Sequence, residues 1–103
     1  MQADLRRSDI AARLGGEEFC IVLRDLTERS AVGVAERLRA SFEAVRIPTA
    51  GGIAETTVSA GVAIAGGSGE PFEQVLKRAD EALYTAKTAG RNRVCAPLPR
   101  LVA

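Results

Sequence analysis

Residues 13–19 read RLGGEEF, and the apolar run FCIVL occupies positions 19–23. Four residues, Gly15, Gly16, Glu17 and Glu18, separate that run from an earlier strand-like stretch, IAARL at 10–14. So short a connection predicts an antiparallel hairpin, with both glycines free to take the positive φ of a tight turn. Five consecutive apolar residues suit a strand buried on both faces and flanked on both edges. The two carboxylates then sit at the hairpin tip. From the residues alone a solvated tip is the simpler account. The alternative is a cation site, because Mg2+ is held by one or two carboxylates together with phosphates, and glycines let a bulky anion approach the backbone.

Downstream, Thr27 is placed to cap a helix running to about Val45, with Glu28 in its first turn answering the positive end of the helix dipole. Its apolar face is Ala31, Val34, Ala35, Leu38, Phe42 and Val45, although Gly33 costs about 1 kcal/mol against alanine. Pro48, Gly51 and Gly52 break it. Residues 56–65 alternate as a strand, with Val58, Ala60, Val62 and Ile64 on one face. The other face, which includes Ser59, Gly61 and Ala63, is small throughout and fits close approach of a helix or backbone. Pro71 opens a second helix whose inward face is Phe72, Val75, Leu76, Ala79, Leu83 and Ala86, and Gly90 ends it as a C′ glycine. Residues 92–96 return as a last strand, and PLPRLVA forms an extended tail. The order of strand, strand, helix, strand, helix, strand indicates an α/β or α+β fold with a mainly antiparallel sheet. Nothing before Ile10 supplies the neighbours that FCIVL needs, so the chain reads as the later part of a larger fold.

The 103 residues suffice for one core, and 14 Lys plus Arg against 13 Asp plus Glu leave a net charge of +1. That balance excludes a global field for nucleic-acid polymers or an anionic membrane, so any anion site must be local. No apolar run is long enough to span a membrane, and the polar start lacks the apolar core of a signal peptide, which makes the cytoplasm the default compartment. With no histidine present, Ser-His triads and His-containing zinc sites are excluded. Cys20 and Cys95 lack CxxC spacing and read as buried free thiols. Carboxylates, Lys, Arg, backbone amides and added metal are what remains for chemistry.

Two further groups carry charge in a pattern. Asp80, Tyr84 and Lys87 are spaced four and three apart, hence on one stripe of the second helix, and Arg91 follows across the Gly90 stop. Lys87 and Arg91 could clamp phosphate or simply answer the negative end of the helix dipole. Arg6, Arg7 and Asp9 form a mixed-charge entry to the first strand, for which a surface ion pair is the plain account.

ARLGGEEF, then TVSAGVAIA, then ADEALYTAKTAGRNRV together closely resemble the GGDEF family of diguanylate cyclases in its GGEEF form, over residues 6–94. The resemblance implies a nucleotide-cyclase-like sheet with helices packed on it. It also implies condensation of two GTP into cyclic di-GMP with release of pyrophosphate, each subunit of an antiparallel homodimer holding one GTP. Glu17 would ligate Mg2+ (or Mn2+) and help activate the attacking hydroxyl, with Glu18 supporting the metal. Gly15 and Gly16 would let the nucleotide lie against the turn, and Lys87 and Arg91 would grip phosphate. Asp80 and Asn92 match recurrent family positions and are assigned structural roles. Arg6 and Asp9 fit the family's RxxD inhibitory site for cyclic di-GMP, the arginine reading the guanine O6/N7 edge, with Arg37 completing the site.

The family's first strand, helix pair and intervening loop, with a further metal-binding aspartate and the guanine-recognising residues, have no counterpart before Arg6. Residues 1–96 are therefore expected to form a partial GGDEF domain, with 97–103 as a C-terminal tail. Such a unit is expected to be inactive alone and prone to dimerise or exchange strands through its open edge. The alternative function is a regulatory module that binds cyclic di-GMP through the RxxD site without making it.

Overall fold

The computed structural model describes residues 10–15, 18–23, 26–65 and 70–97. A four-stranded sheet has the order β2-β1-β5-β6, where β1 is Ile10–Leu14, β2 Phe19–Leu23, β5 Ala60–Ile64 and β6 Val94–Cys95. Strand β1 lies antiparallel to both β2 and β5, whereas β5 and β6 run parallel. Helices α1 (Glu28–Ala44) and α2 (Phe72–Thr88) cover opposite faces. The α+β class and the predicted hairpin are what the structure shows.

Period-2 alternation divides the two cores. Ile10, Ala12, Leu14, Val58, Ala60 and Val62 pack toward Ala31 and Ala35 of α1. Ala11, Ala63 and Ala65 pack toward Val75 and Ala79 of α2. Gly61 lies on the α2 side, where an added Cβ would stand 2.1 Å from the Ala79 carbonyl oxygen and 2.3 Å from the Leu83 nitrogen. The small face predicted for this strand is thus the seat of a helix backbone.

Thr27 caps α1 as expected, its Oγ1 accepting from the Ser30 N–H at 3.1 Å. Helix α2 ends in a Schellman turn: Ala89 is the C-cap, Gly90 has φ +131°, and the Arg91 N–H donates to the Ala86 carbonyl at 2.9 Å.

The open edge expected beside FCIVL is present: β2 has no strand on its outer side among the described residues. Other expectations change. The run is not buried on both faces, since each of its five positions is at least partly exposed and Phe19 is 45% accessible. Val45 caps α1 from outside the core and is exposed. The region given to helix-breaking residues is a separate hairpin, β3 (Arg46–Thr49) and β4 (Gly52–Glu55), in which Gly52 has φ +130° and the Thr49 hydroxyl donates to the Gly52 carbonyl. Pro48 is tolerated there because a two-stranded ribbon consists only of edge strands.

Beyond α2 the chain is locked to α1. Arg91 and Asn92 both take positive φ, 62° and 48°, and the Asn92 N–H donates to the Ser59 hydroxyl. The Asn92 side-chain amide donates to Glu43 while its carbonyl accepts from Arg39, which also pairs with Glu36. These contacts tie Asn92 to Ser59, directly before β5, and to α1. Its hydrogen bond, and then the Arg39 guanidinium, hold the Glu43 carboxyl below its ordinary value of 4.5; the Arg39 hydrogen bond does the same for Glu36. Carboxyls depressed in the folded state stabilise it above their unfolded pKa and lose that contribution as pH falls through the lower folded value. Tm should therefore be flat from pH 7 to about 5 and fall below the unfolded value of about 4.5. Asn92→Ala should blunt the fall, and melts of the two proteins across pH 3 to 7 check it.

Candidate functional site

The β1–β2 turn and the C-terminal half of α2 meet at an open cleft of about 250 Å³ lined by Arg13, Glu18, Asp80, Leu83, Tyr84 and Lys87. Asp80, Tyr84 and Lys87 come together here, as the helical spacing predicts, because Leu83 between them is buried against the sheet. Lys87 lies across the hairpin, its Nζ donating to Glu18 Oε1 at 3.1 Å. Arg13 faces Asp80, with Nε 3.0 Å from Oδ1. That contact meets the distance of an ion pair without the angle of a hydrogen bond, so the water-shielded Nε–H lacks a hydrogen-bond acceptor. Each carboxylate of the cleft is thus opposed by one cation.

Gly15 does not take the positive φ expected of it. Its importance is contact: an added Cβ would lie 2.7 Å from Lys87 Cε, so the lysine stem passes directly over the turn. The turn is tied down by the Gly15 N–H, which donates to the Ser59 carbonyl at 2.7 Å. Gly16, Glu17, Arg6 and Asp9 lie outside the described residues. Arg91, expected to pair with Lys87, is exposed beyond the Schellman turn and is not among the residues lining the cleft. Arg37 is exposed on α1, and among the described residues no ion pair engages its guanidinium.

Arg13 was not a sequence candidate, yet it had a signal: it is the one charge in IAARL, on the strand face opposite Ile10, Ala12 and Leu14. Its cross-strand neighbour is Cys20. Burial pushes the Cys20 thiol up, partly offset by Arg13, which makes it a poor nucleophile. Both cysteines are free, as expected, but partly rather than fully buried.

Among the described residues no three acidic or thiol side chains converge as a closed metal site. Glu18, a carboxylate on an open cleft with the Lys87 ammonium beside it, fits a hard metal shared with phosphate oxygens and water, whereas Asp80 is matched by Arg13. No helix among the described residues is long and apolar enough to cross a membrane.

A mixed sheet between two helices, with a glycine hairpin whose carboxylate meets a helix lysine, defines a nucleotide-cyclase-like α+β domain. The chain belongs to the GGDEF family: the family model "Diguanylate cyclase, GGDEF domain" matches residues 1–93. It is 43% identical over 89 residues to diguanylate cyclase A of Treponema denticola, covering 86% of this chain and 24% of that protein. It is 38% identical over 96 residues to the response regulator PleD of Caulobacter vibrioides, covering 91% and 21%. With diguanylate cyclase DosC of Escherichia coli K12 the identity is 40% over 92 residues, covering 88% and 20%. The chain therefore spans about a fifth to a quarter of these relatives' lengths. Among solved structures, the GGDEF domain of DgcB from Caulobacter crescentus in complex with c-di-GMP superposes with TM-score 0.71 at 33% identity, over 80% of this chain and 49% of that one. The GGDEF domain of PA1120 (YfiN or TpbB) from Pseudomonas aeruginosa gives 0.69 at 30%, over 93% and 60%.

Proposed function

We propose that this chain contributes the GGEEF hairpin and the phosphate-gripping helix of a diguanylate cyclase acting in the bacterial cytoplasm. The observation that carries the reading is Lys87 lying across the hairpin onto Glu18, which puts an ammonium and a carboxylate from two distant motifs in one cleft. In the reaction the 3′-hydroxyl of one GTP attacks the α-phosphate of another, a P–O bond forms, and pyrophosphate leaves; repetition within an antiparallel homodimer closes the cyclic di-GMP ring. Lys87 would hold phosphate oxygens, with Arg91 reaching the same anion from beyond the helix end, and Gly15 and Gly16 would give the nucleotide room. Glu17 and Glu18 would hold Mg2+ or Mn2+, which when bound supplies positive charge against the phosphates. Residues 1–96 are assigned to this unit and 97–103 to a tail.

Removing a charge-assisted hydrogen bond costs about 1.5–3 kcal/mol. Lys87→Met should therefore weaken Mg2+-dependent binding of a non-hydrolysable GTP analogue at least about tenfold in calorimetry. Unchanged affinity would remove Lys87 from the site.

Arg6, Asp9 and Arg37 would form an inhibitory site for the product. Support comes from the RxxD spacing and from the exposure of Arg37 on α1, where no ion pair among the described residues engages it. Calorimetry with cyclic di-GMP should give a binding isotherm that Arg6→Ala flattens, and equal heats for the two proteins would eliminate this site.

A further inference from the structure

We infer that the Glu18–Lys87 pair is an exchange latch, which couples the entry of metal and nucleotide into the cleft. The inference rests on the proposed function above. Each partner is the group that a different ligand would claim: the carboxylate suits a divalent cation and the ammonium suits phosphate. The two satisfy each other at 3.1 Å. Lys87 has no other acceptor among the described residues, and its stem is steered to Glu18 by the bare backbone of Gly15, where no Cβ intervenes.

Metal-free triphosphate must take Lys87 away from Glu18 and leave an unmatched carboxylate beside its own negative charge. A cation that claims Glu18 removes both penalties at once. Metal and nucleotide therefore each strengthen the binding of the other through this contact, as linkage requires. The pair is well suited to breaking, since its side chains are 28% and 46% exposed and an ion pair of that kind is weak. The second pair, Arg13 with Asp80, matches the other carboxylate of the cleft with a cation of its own.

A double-mutant cycle on the chain tests this, with the β,γ-imido analogue of GTP as probe, in EDTA and in Mg2+. In EDTA, Glu18→Gln should tighten binding about two- to fivefold, the range an exposed pair of this kind can contribute. In Mg2+ the same substitution should weaken it. The gain in EDTA should vanish when Lys87 is already methionine, because there is then no lysine to release. A gain that persists in the Lys87→Met background would mean simple repulsion between Glu18 and phosphate, and would overturn the latch while leaving the phosphate role of Lys87 standing. If Lys87→Met changes nothing in either condition, the proposed function and the latch both fall. Thermal melts of each variant, expected to lie near wild type because both side chains are surface groups, confirm that folded proteins are compared.

Discussion

Gly61→Ala is expected to cost about 3 kcal/mol or more of stability, at or beyond the top of the range for overpacked cores and a large share of the about 5–15 kcal/mol that keeps a domain folded. The new methyl would enter the backbone of α2, 2.1 Å from the Ala79 carbonyl oxygen and 2.9 Å from the Ala82 carbonyl carbon. A flexible side chain could swing aside, but a helix backbone must translate as a unit. Val75, Ala79 and Leu83 would be lifted from the sheet together. The same substitution at Gly33 provides the contrast. There the nearest atom to an added Cβ is the Arg37 guanidinium at 3.9 Å, and α1 would gain up to about 1 kcal/mol of helix propensity. Urea unfolding of the two variants should move the midpoint in opposite directions. A wild-type midpoint for Gly61→Ala would mean that α2 does not seat on β5 as described.

Leu14→Ala is the second large effect, expected to cost about 2–5 kcal/mol. Leu14 is 1% exposed at the last position of β1, directly before the turn. A void of about 10 Å³ already lies beside it, lined by Ala12, Ile21, Ala31 and Leu38 among others. Truncation would enlarge a space that the rigid sheet and α1 cannot close, which places the cost toward the upper part of the range. Because Gly15 is anchored to Ser59 next door, the variant should also loosen the turn that carries Glu18. Its urea midpoint should fall further than that of Val45→Ala, whose side chain is exposed; equal shifts would contradict the burial described for β1.

The sequence made some of this legible because the period of the apolar pattern differs between element types. The alternation in residues 56–65 separated the α1 face from the α2 face of β5, and glycine at 61 already implied a close helix. The spacing of Asp80, Tyr84 and Lys87 put them on one stripe, and the structure turns that stripe toward the hairpin. The open edge beside FCIVL was legible too, since nothing before Ile10 offered it an outer neighbour, and β2 has none among the described residues. One feature resisted reading. The β3–β4 hairpin was hidden by Pro48, which usually argues against a strand and is harmless in a ribbon made only of edges. In the site, Arg13 escaped notice because a lone strand arginine acquires meaning only when Asp80 and Lys87 are brought beside it. Gly15 was singled out for its φ, whereas its contact with Lys87 is a tertiary fact that no local rule contains.

The central claim is that the cleft between the hairpin and α2 takes a metal–nucleotide complex. The most direct measurement is amide NMR of the chain titrated with substoichiometric Mn2+ in the presence of the β,γ-imido analogue of GTP, since a paramagnetic ion bleaches the signals nearest to it. The account predicts that Gly15, Glu18, Tyr84 and Lys87 lose intensity first, while the β3–β4 hairpin is untouched. Bleaching that spares these four residues, or that falls evenly over the surface carboxylates, would contradict it.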